Sequence, residues 1–465
     1  MFPAHIYVER RNRLKRDLRS GILLFMGNTE SPINYPDNHY PFRQDSSFLY
    51  FWGIDLPDLS ALIDIDANRE ILFGRDSTLE EKVWIGPEPT LQERGLKSGV
   101  KEVSSLDQPD AQLKKTVQKG RTIHFLPQYR ADNRMKIHQW LGVDINVIGR
   151  SASETFIKAV VAQRSIKNEK EIEQIEKALE ISCDIQTLAM KMSRPGVNER
   201  EVVGAMAGLA YSRGSAGLAF PIIFSVDGEI LHNPHHDNVM QAGDMVVNDS
   251  GAESPMHYAS DITRTIPVSG RFTQQQKEIY AIVLEAQKQA IEAIAPGVEY
   301  RDIHLMACRQ LTSGLKLLGL IKGDVDSAVS AGAHALFMPA GLGHMMGLDV
   351  HDMEGLGEDY VGYTERIRRS DQFGTSRLRL ARALEPGFVV TVEPGLYFIP
   401  GLIDRWRAEG KFEEFIDYNR LEGFRDFGGI RIEDDVLVLE DGRRVLGKPI
   451  PKSIADVEAI SSQFL

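Results

Sequence analysis

The sequence predicts two domains of different class: an α/β domain over residues 1–160 and an α+β domain over residues 161–465, organised on a central, mainly antiparallel sheet. Three observations predict this. A chain of 465 residues is too long for one ordinary hydrophobic core. Short apolar runs alternate with polar, helix-compatible segments in the first third. A long amphipathic stretch beginning near residue 168 then opens a region in which Pro-Gly turns recur between helices.

Taken in order, residues 21–26, 61–65 and 122–126 are apolar runs of strand length. Polar segments such as 77–82 lie between them, and none of these carries a phosphate-binding glycine loop. Residues 168–192 read as a helix. Asn168 is its N-cap, with Glu171 placed to close a capping box. Ile172, Ile175, Ala178 and Leu179 form its apolar stripe, while Lys170, Glu171 and Glu173 are expected to face water. Pro195-Gly196 stops it. The same order, helix then Pro-Gly-Val then helix, recurs around Pro296-Gly297-Val298 after a helix over 274–294. Coincidence accounts for two such turns as well as duplication does. Duplication would place ligands from two related halves around one sheet.

Composition removes several classes of function. The apolar fraction of 42% and charged fraction of 26% belong to a globular protein. A net charge of −12 argues against a nucleic-acid partner. No apolar run is long enough to span a membrane. The charged residues Glu9, Arg10 and Arg11 make a signal peptide unexpected, so the expected location is cytoplasmic. Cys183 and Cys308 are too few for a disulfide framework or a thiolate metal site and read as core thiols in a reducing compartment. His304 and His334 have no supporting context.

The chemistry concentrates in five residues. Asp249 ends the apolar run 245–247 and Asp261 begins the run 262–268, as on two adjacent antiparallel strands. One Asp at a strand end is ordinarily a turn residue, and two on neighbouring strands raise a functional reading beside that one. Glu393 lies on the strand-like run 388–393, sharing a face with Thr391. Glu433 follows Ile430, Arg431 and Ile432, sharing a face with Arg431. Either Glu alone reads equally well as part of an exposed ion pair. His344 follows two glycines that allow close backbone approach, and a lone His is more often a core residue than a ligand. Gathered together, four carboxylates and one imidazole carry too much negative charge to coexist without cations. They would make an oxygen-rich site for two divalent metals, Mn²⁺ or Mg²⁺ by hardness, with Zn²⁺ and Co²⁺ possible.

The ordered set Asp249, Asp261, His344, Glu393 and Glu433 resembles the metal site of the pita-bread metallopeptidases, most closely the aminopeptidase P and prolidase group. The resemblance rests on Asp-Ile-Thr-Arg-Thr (261–265), Gly-Leu-Asp-Val-His-Asp (347–352), Thr-Val-Glu-Pro-Gly-Leu-Tyr (391–397) and Gly-Ile-Arg-Ile-Glu-Asp-Asp (429–435). It covers roughly residues 160–445 and reaches the N-terminal domain more weakly through 42–48. It implies a curved catalytic sheet with internal pseudo-symmetry. Asp249 would chelate one metal, Asp261 and Glu433 would bridge both, and His344 and Glu393 would complete the other. Glu393 would also carry a proton to the leaving nitrogen. His351 and His232 would contact substrate and stabilise the tetrahedral intermediate. Arg379 would hold the substrate carboxylate. Arg431 would orient a bridging carboxylate, with Thr263 and Thr391 also behind the ligands. One departure stands out: Ala340 occupies a position where the family usually has a histidine.

The reaction so implied is attack on an Xaa-Pro bond by a hydroxide bridging the metals, at the N-terminus of a peptide or in a dipeptide. The implied substrates are short proline-containing peptides and the implied assembly is a homodimer or homotetramer. The segment 399–426 is an insertion absent from short aminopeptidases P and leans toward prolidases. A methionine aminopeptidase with the same ligands and a non-catalytic pita-bread peptide-binding protein are the rival readings.

Overall fold

In a computed structural model that describes residues 1–106 and 108–463, the chain divides into two units. One is Met1–Arg164 together with Met353–Tyr360, and the other is Ser165–Asp352 together with the chain from Val361 onward.

The first unit is built on a five-stranded sheet in the order Glu102–Ser105, Arg69–Gly74, Ser60–Asp64, Ile22–Met26, Ile123–Phe125. Ile22–Met26 pairs antiparallel with Ser60–Asp64 and parallel with Ile123–Phe125, so the sheet is mixed. Every residue of Ile22–Met26 and Ser60–Asp64 is buried. Burial on both faces makes such strands largely unbroken apolar runs in the sequence. Glu102–Ser105 is an edge strand whose one aliphatic residue is Val103, and it carries no such signal. Segment 77–82 overlaps the helix Leu79–Ile85, which starts at a capping box between Thr78 and Glu81.

The second unit opens with the helix Glu169–Met192, capped by Asn168 in a reciprocal box with Glu171. The predicted stripe Ile172, Ile175, Ala178, Leu179 is buried. Glu171 corrects the expectation that it faces water. It is buried, and its carboxylate accepts a hydrogen bond from the Tyr258 phenol at 3.0 Å. The capping box turns the side chain back along the helix, and the phenol supplies a further hydrogen bond. The helix Glu199–Ser212 follows the first Pro-Gly turn, as the helix Tyr300–Leu317 follows the second after Gln274–Ala293.

Strands follow the first helix pair, and further strands come after the second. Met245–Ser250 lies between Ile223–Ser225 and Ile262–Pro267, antiparallel to both. Asp434–Leu439 lies between Val389–Val392 and Gly442–Val445, again antiparallel, and Gly395–Tyr397 pairs with Gly429–Arg431. The two sets join along one seam. The Glu433 N–H donates to the Thr263 carbonyl at 3.1 Å. The buried Arg264 guanidinium donates to the carbonyls of Glu433, Ile450 and Pro451 at 2.6, 3.0 and 2.9 Å and to the Asp434 carboxylate at 2.7 Å. A buried charge is tolerable when its donors are met in this way. No described helix is long and apolar enough to cross a membrane.

Candidate metal centre

All five residues come from strand ends or from the loop beside them. In the first hairpin Thr263 pairs with Asp249, and side chains alternate along a strand, so Asp249, Thr263 and Asp261 share one face. In the second hairpin the last pair is Val392 with Asp434. Glu393 lies just beyond the strand Val389–Val392, and Glu433 lies in the break between Gly429–Arg431 and Asp434–Leu439.

His344 is held by main-chain contact with the second hairpin. Its N–H donates to Thr391 Oγ1 at 3.0 Å, and its carbonyl accepts from the Thr391 N–H at 3.0 Å. Only glycine permits this approach at position 343. A Cβ there would lie 2.2 Å from the Thr391 carbonyl oxygen and 2.6 Å from the Tyr300 hydroxyl.

Ligand atoms of Asp261, His344 and Glu433 all lie within 4.8 Å of one another. His344 Nε2 is 3.4 Å from Asp261 Oδ2 and 3.6 Å from Glu393 Oε1. Asp249, Asp261, His344 and Glu433 are buried, and Glu393 is the partly exposed member. Burial first, then the charges of Glu433, Asp249, Asp435 and Glu393, push the Asp261 carboxyl well above its usual range. Burial first, then Glu393 and Asp249, do the same to Glu433. The Glu393 carboxyl is pushed up to about 7, chiefly by burial.

The imidazole sharpens the conflict. Burial holds its pKa well below the ordinary value, so it is neutral. Nδ1 lies 3.1 Å from the Met345 carbonyl, which can only accept, so Nδ1 carries the proton. The Nε2 lone pair then faces two carboxylate oxygens. Asp249 Oδ1, Asp261 Oδ1 and Glu433 Oε1 are buried with no hydrogen-bond partner. Unpaired buried anionic oxygens cost several kcal/mol each, on the order of an uncompensated buried polar group or more. A divalent cation removes both conflicts, and the donor set is hard and oxygen-rich, so the residues fit such an ion.

A ring of supporting groups fixes these side chains. Arg431 donates from Nη2 to Asp249 Oδ2 at 2.6 Å, from Nη1 to the Tyr397 hydroxyl at 2.7 Å and from Nε to Thr263 Oγ1 at 3.1 Å. Thr263 Oγ1 in turn donates to Glu433 Oε2 at 2.7 Å. Arg431 therefore touches Asp249 directly and reaches Glu433 through Thr263. Thr391 Oγ1 donates to Glu393 Oε1 at 3.5 Å. The His351 ring lies 4.2 Å from that of His344, centroid to centroid. His232 sits in the turn after Ile223–Ser225, close enough to Arg431, Asp249, His351 and Arg379 for their charges to act on its ring. The charge of Arg379 also reaches His344 and Glu393.

Three supporting residues had no role in the sequence reading. Tyr397 receives Arg431, Tyr300 donates to the Thr391 carbonyl at 2.5 Å, and Asp435 accepts the Asp261 N–H at 3.2 Å. Tyr397 and Asp435 stand inside the quoted motifs, which was the available signal. Tyr300 has none, because only the approach of Gly343 gives it a function.

Fold and site together define a two-unit metallohydrolase of the pita-bread class, with a carboxylate-rich centre on an antiparallel sheet. The chain belongs to metallopeptidase family M24, whose profile matches residues 173–440, and within it to the aminopeptidase P and prolidase group. Residues 7–124 match the aminopeptidase P N-terminal domain. The human Xaa-Pro dipeptidase is 32% identical over 98% of this chain and 93% of its own length. A probable Xaa-Pro aminopeptidase of Sordaria macrospora is 31% identical over 96% of this chain and 92% of its own. Among solved structures, the Pseudomonas aeruginosa aminopeptidase PepP superposes with a TM-score of 0.82 at 28% identity, covering 99% of this chain and 98% of that one. A zinc-substituted Escherichia coli aminopeptidase P in complex with product gives 0.81 at 29%, with the same coverage.

Proposed function

We propose that this protein is a metal-dependent exopeptidase that hydrolyses the Xaa-Pro bond at the N-terminus of short peptides or in dipeptides. The observation that carries the proposal is the set of orphaned buried oxygens on Asp249, Asp261 and Glu433 around an unprotonated His344 Nε2. Asp249, Asp261, His344, Glu393 and Glu433 would hold two divalent ions, Mn²⁺ best matching so hard a set, and such ions supply Lewis acidity toward a carbonyl and acidify water near neutral pH.

The chain's own groups do the rest. Glu393, the partly exposed carboxylate, takes a proton from the attacking water and delivers it to the departing prolyl nitrogen. His351, beside His344, and His232, at the rim, donate to the substrate carbonyl oxygen as negative charge develops there. A prolyl nitrogen has no N–H, so recognition cannot use that donor and falls on the substrate carboxylate. Arg379 is the group suited to a planar carboxylate. The same reading makes the protein a homodimer or homotetramer of the cytoplasm, consistent with two unpaired cysteines.

The test is a substrate panel with the Mn²⁺-loaded protein. Ala-Pro and Ala-Pro-Gly separate dipeptidase from aminopeptidase, and Met-Ala-Ser reports the methionine aminopeptidase alternative. Release of free alanine from either proline peptide supports the proposal. Cleavage of Met-Ala-Ser alone, or of none of the three at full metal occupancy, refutes it.

A further inference from the structure

A second cluster of metal-ligating side chains lies outside this site. His304 and Cys308 stand one turn apart on the helix Tyr300–Leu317, and His334 lies in the one-turn 3-10 helix Ala333–Leu336. One ligand atom from each lies within 4.8 Å of the other two. Cys308 Sγ is 3.6 Å from His304 Nε2. His304 and Cys308 are fully buried and His334 is 3% exposed. Neither ring nitrogen of His334 makes a hydrogen bond, although the Val329 carbonyl lies near the ring. Buried polar groups are almost always paired, so an imidazole orphaned at both nitrogens beside a thiol and a second imidazole calls for a ligand.

We infer that His304, Cys308 and His334 form a binding site for one soft monovalent cation, Cu⁺. Two imidazoles and a thiolate select Cu⁺ or Zn²⁺ and disfavour the hard ions suited to the carboxylate centre. Charge decides between the two. Burial pushes the Cys308 thiol up to about 12 and holds His304 down to about 3 and His334 to about 4, so all three are neutral at pH 7. Binding breaks the Cys308 S–H bond, forms a bond from sulfur to the cation and releases one proton to solvent, with no change in oxidation state. With Cu⁺ the product is neutral. With Zn²⁺ it keeps one positive charge, and none of the three buried side chains forms an ion pair with a carboxylate among the described residues. An unpaired buried charge is the costlier state. One thiolate suffices for such a site, so a count of two cysteines does not exclude it.

The test is anaerobic titration of the intact protein with Cu⁺ in competition with a chromophoric Cu⁺ chelator, followed by X-ray absorption at the copper edge. One Cu⁺ per chain should be withdrawn from the chelator, with one thiolate sulfur and two nitrogen ligands. Cys183→Ser should keep this uptake, while Cys308→Ser and His334→Gln should each abolish it. Circular dichroism melts confirm that each variant folds. Because Cys183→Ser leaves Cys308 as the sole thiol, its thiolate signal assigns the site even if a Cys308 variant misfolds. Absence of a sulfur ligand, uptake that follows Cys183, or capture of Zn²⁺ in preference to Cu⁺ overturns the inference.

Discussion

Replacing Asp261 by Asn should make the metal-free protein more stable, although the residue is buried and polar. Its carboxylate shares a space with that of Glu433, their ligand atoms lying within 4.8 Å of each other. Two unit charges at that separation repel by about 3.5 kcal/mol at an effective dielectric constant of ~20. The wild-type protein relieves part of this by holding a proton, since both carboxyls are pushed well above their usual range. The amide is neutral at every pH, and the expected net gain is about 1–3 kcal/mol. That corresponds to a rise of roughly 2–6 °C in melting temperature for a unit of this size. Saturating Mn²⁺ reverses the order. An ion present at a hundredfold excess over its dissociation constant adds about 2.7 kcal/mol per site to the wild type, and the variant should gain little. Thermal melts at pH 8, in chelator and in Mn²⁺, read both effects. A variant that melts below the wild type in chelator, or that keeps the full Mn²⁺ increment, refutes the reasoning.

Arg431→Met should weaken Mn²⁺ binding roughly 10–100-fold by releasing Asp249 and Thr263, with Arg431→Lys intermediate, measured by competition with a metal indicator. His351→Ala should keep the metal content and lower kcat by roughly 10²–10³-fold, and unchanged turnover would remove its assigned contact with the reacting carbonyl. Arg379→Ala should raise KM for Ala-Pro by roughly 10–100-fold and for Ala-Pro-Gly by less, and equal losses would argue against a carboxylate anchor. In the first unit, Arg121 donates to Asp64 at 2.8 and 2.5 Å, and this hydrogen bonding holds the Asp64 carboxyl below its ordinary range. A depressed carboxyl contributes stability above the unfolded value of ~3.9 and loses it as pH falls through the folded value. Asp64→Asn should therefore cost about 1–2 kcal/mol at pH 7 and progressively less toward pH 3, read from urea melts.

Legibility in the sequence followed burial and locality. Ile22–Met26 was readable because both faces are buried, whereas Glu102–Ser105 at the sheet edge resembles any polar connection. The capping box at Asn168 was readable because cap and partner are three residues apart. Glu171 was misjudged because its second partner, Tyr258, is distant in the chain. Arg264 has no role legible in the sequence, since its acceptors at Glu433, Ile450 and Pro451 are unknowable before the halves join.

By itself the sequence pointed to the two-part organisation, to the strand and helix types, and to five candidate ligand residues whose joint charge would call for cations. Those are properties of periodicity and of side-chain chemistry, which the chain carries before it folds. Tertiary structure alone decided that Arg431 grips Asp249, that Gly343 lets Thr391 hold His344, and that Cys308 meets two histidines. Such contacts join residues far apart in the chain, and their distances and orphaned atoms exist only once hairpin register and helix packing have been set.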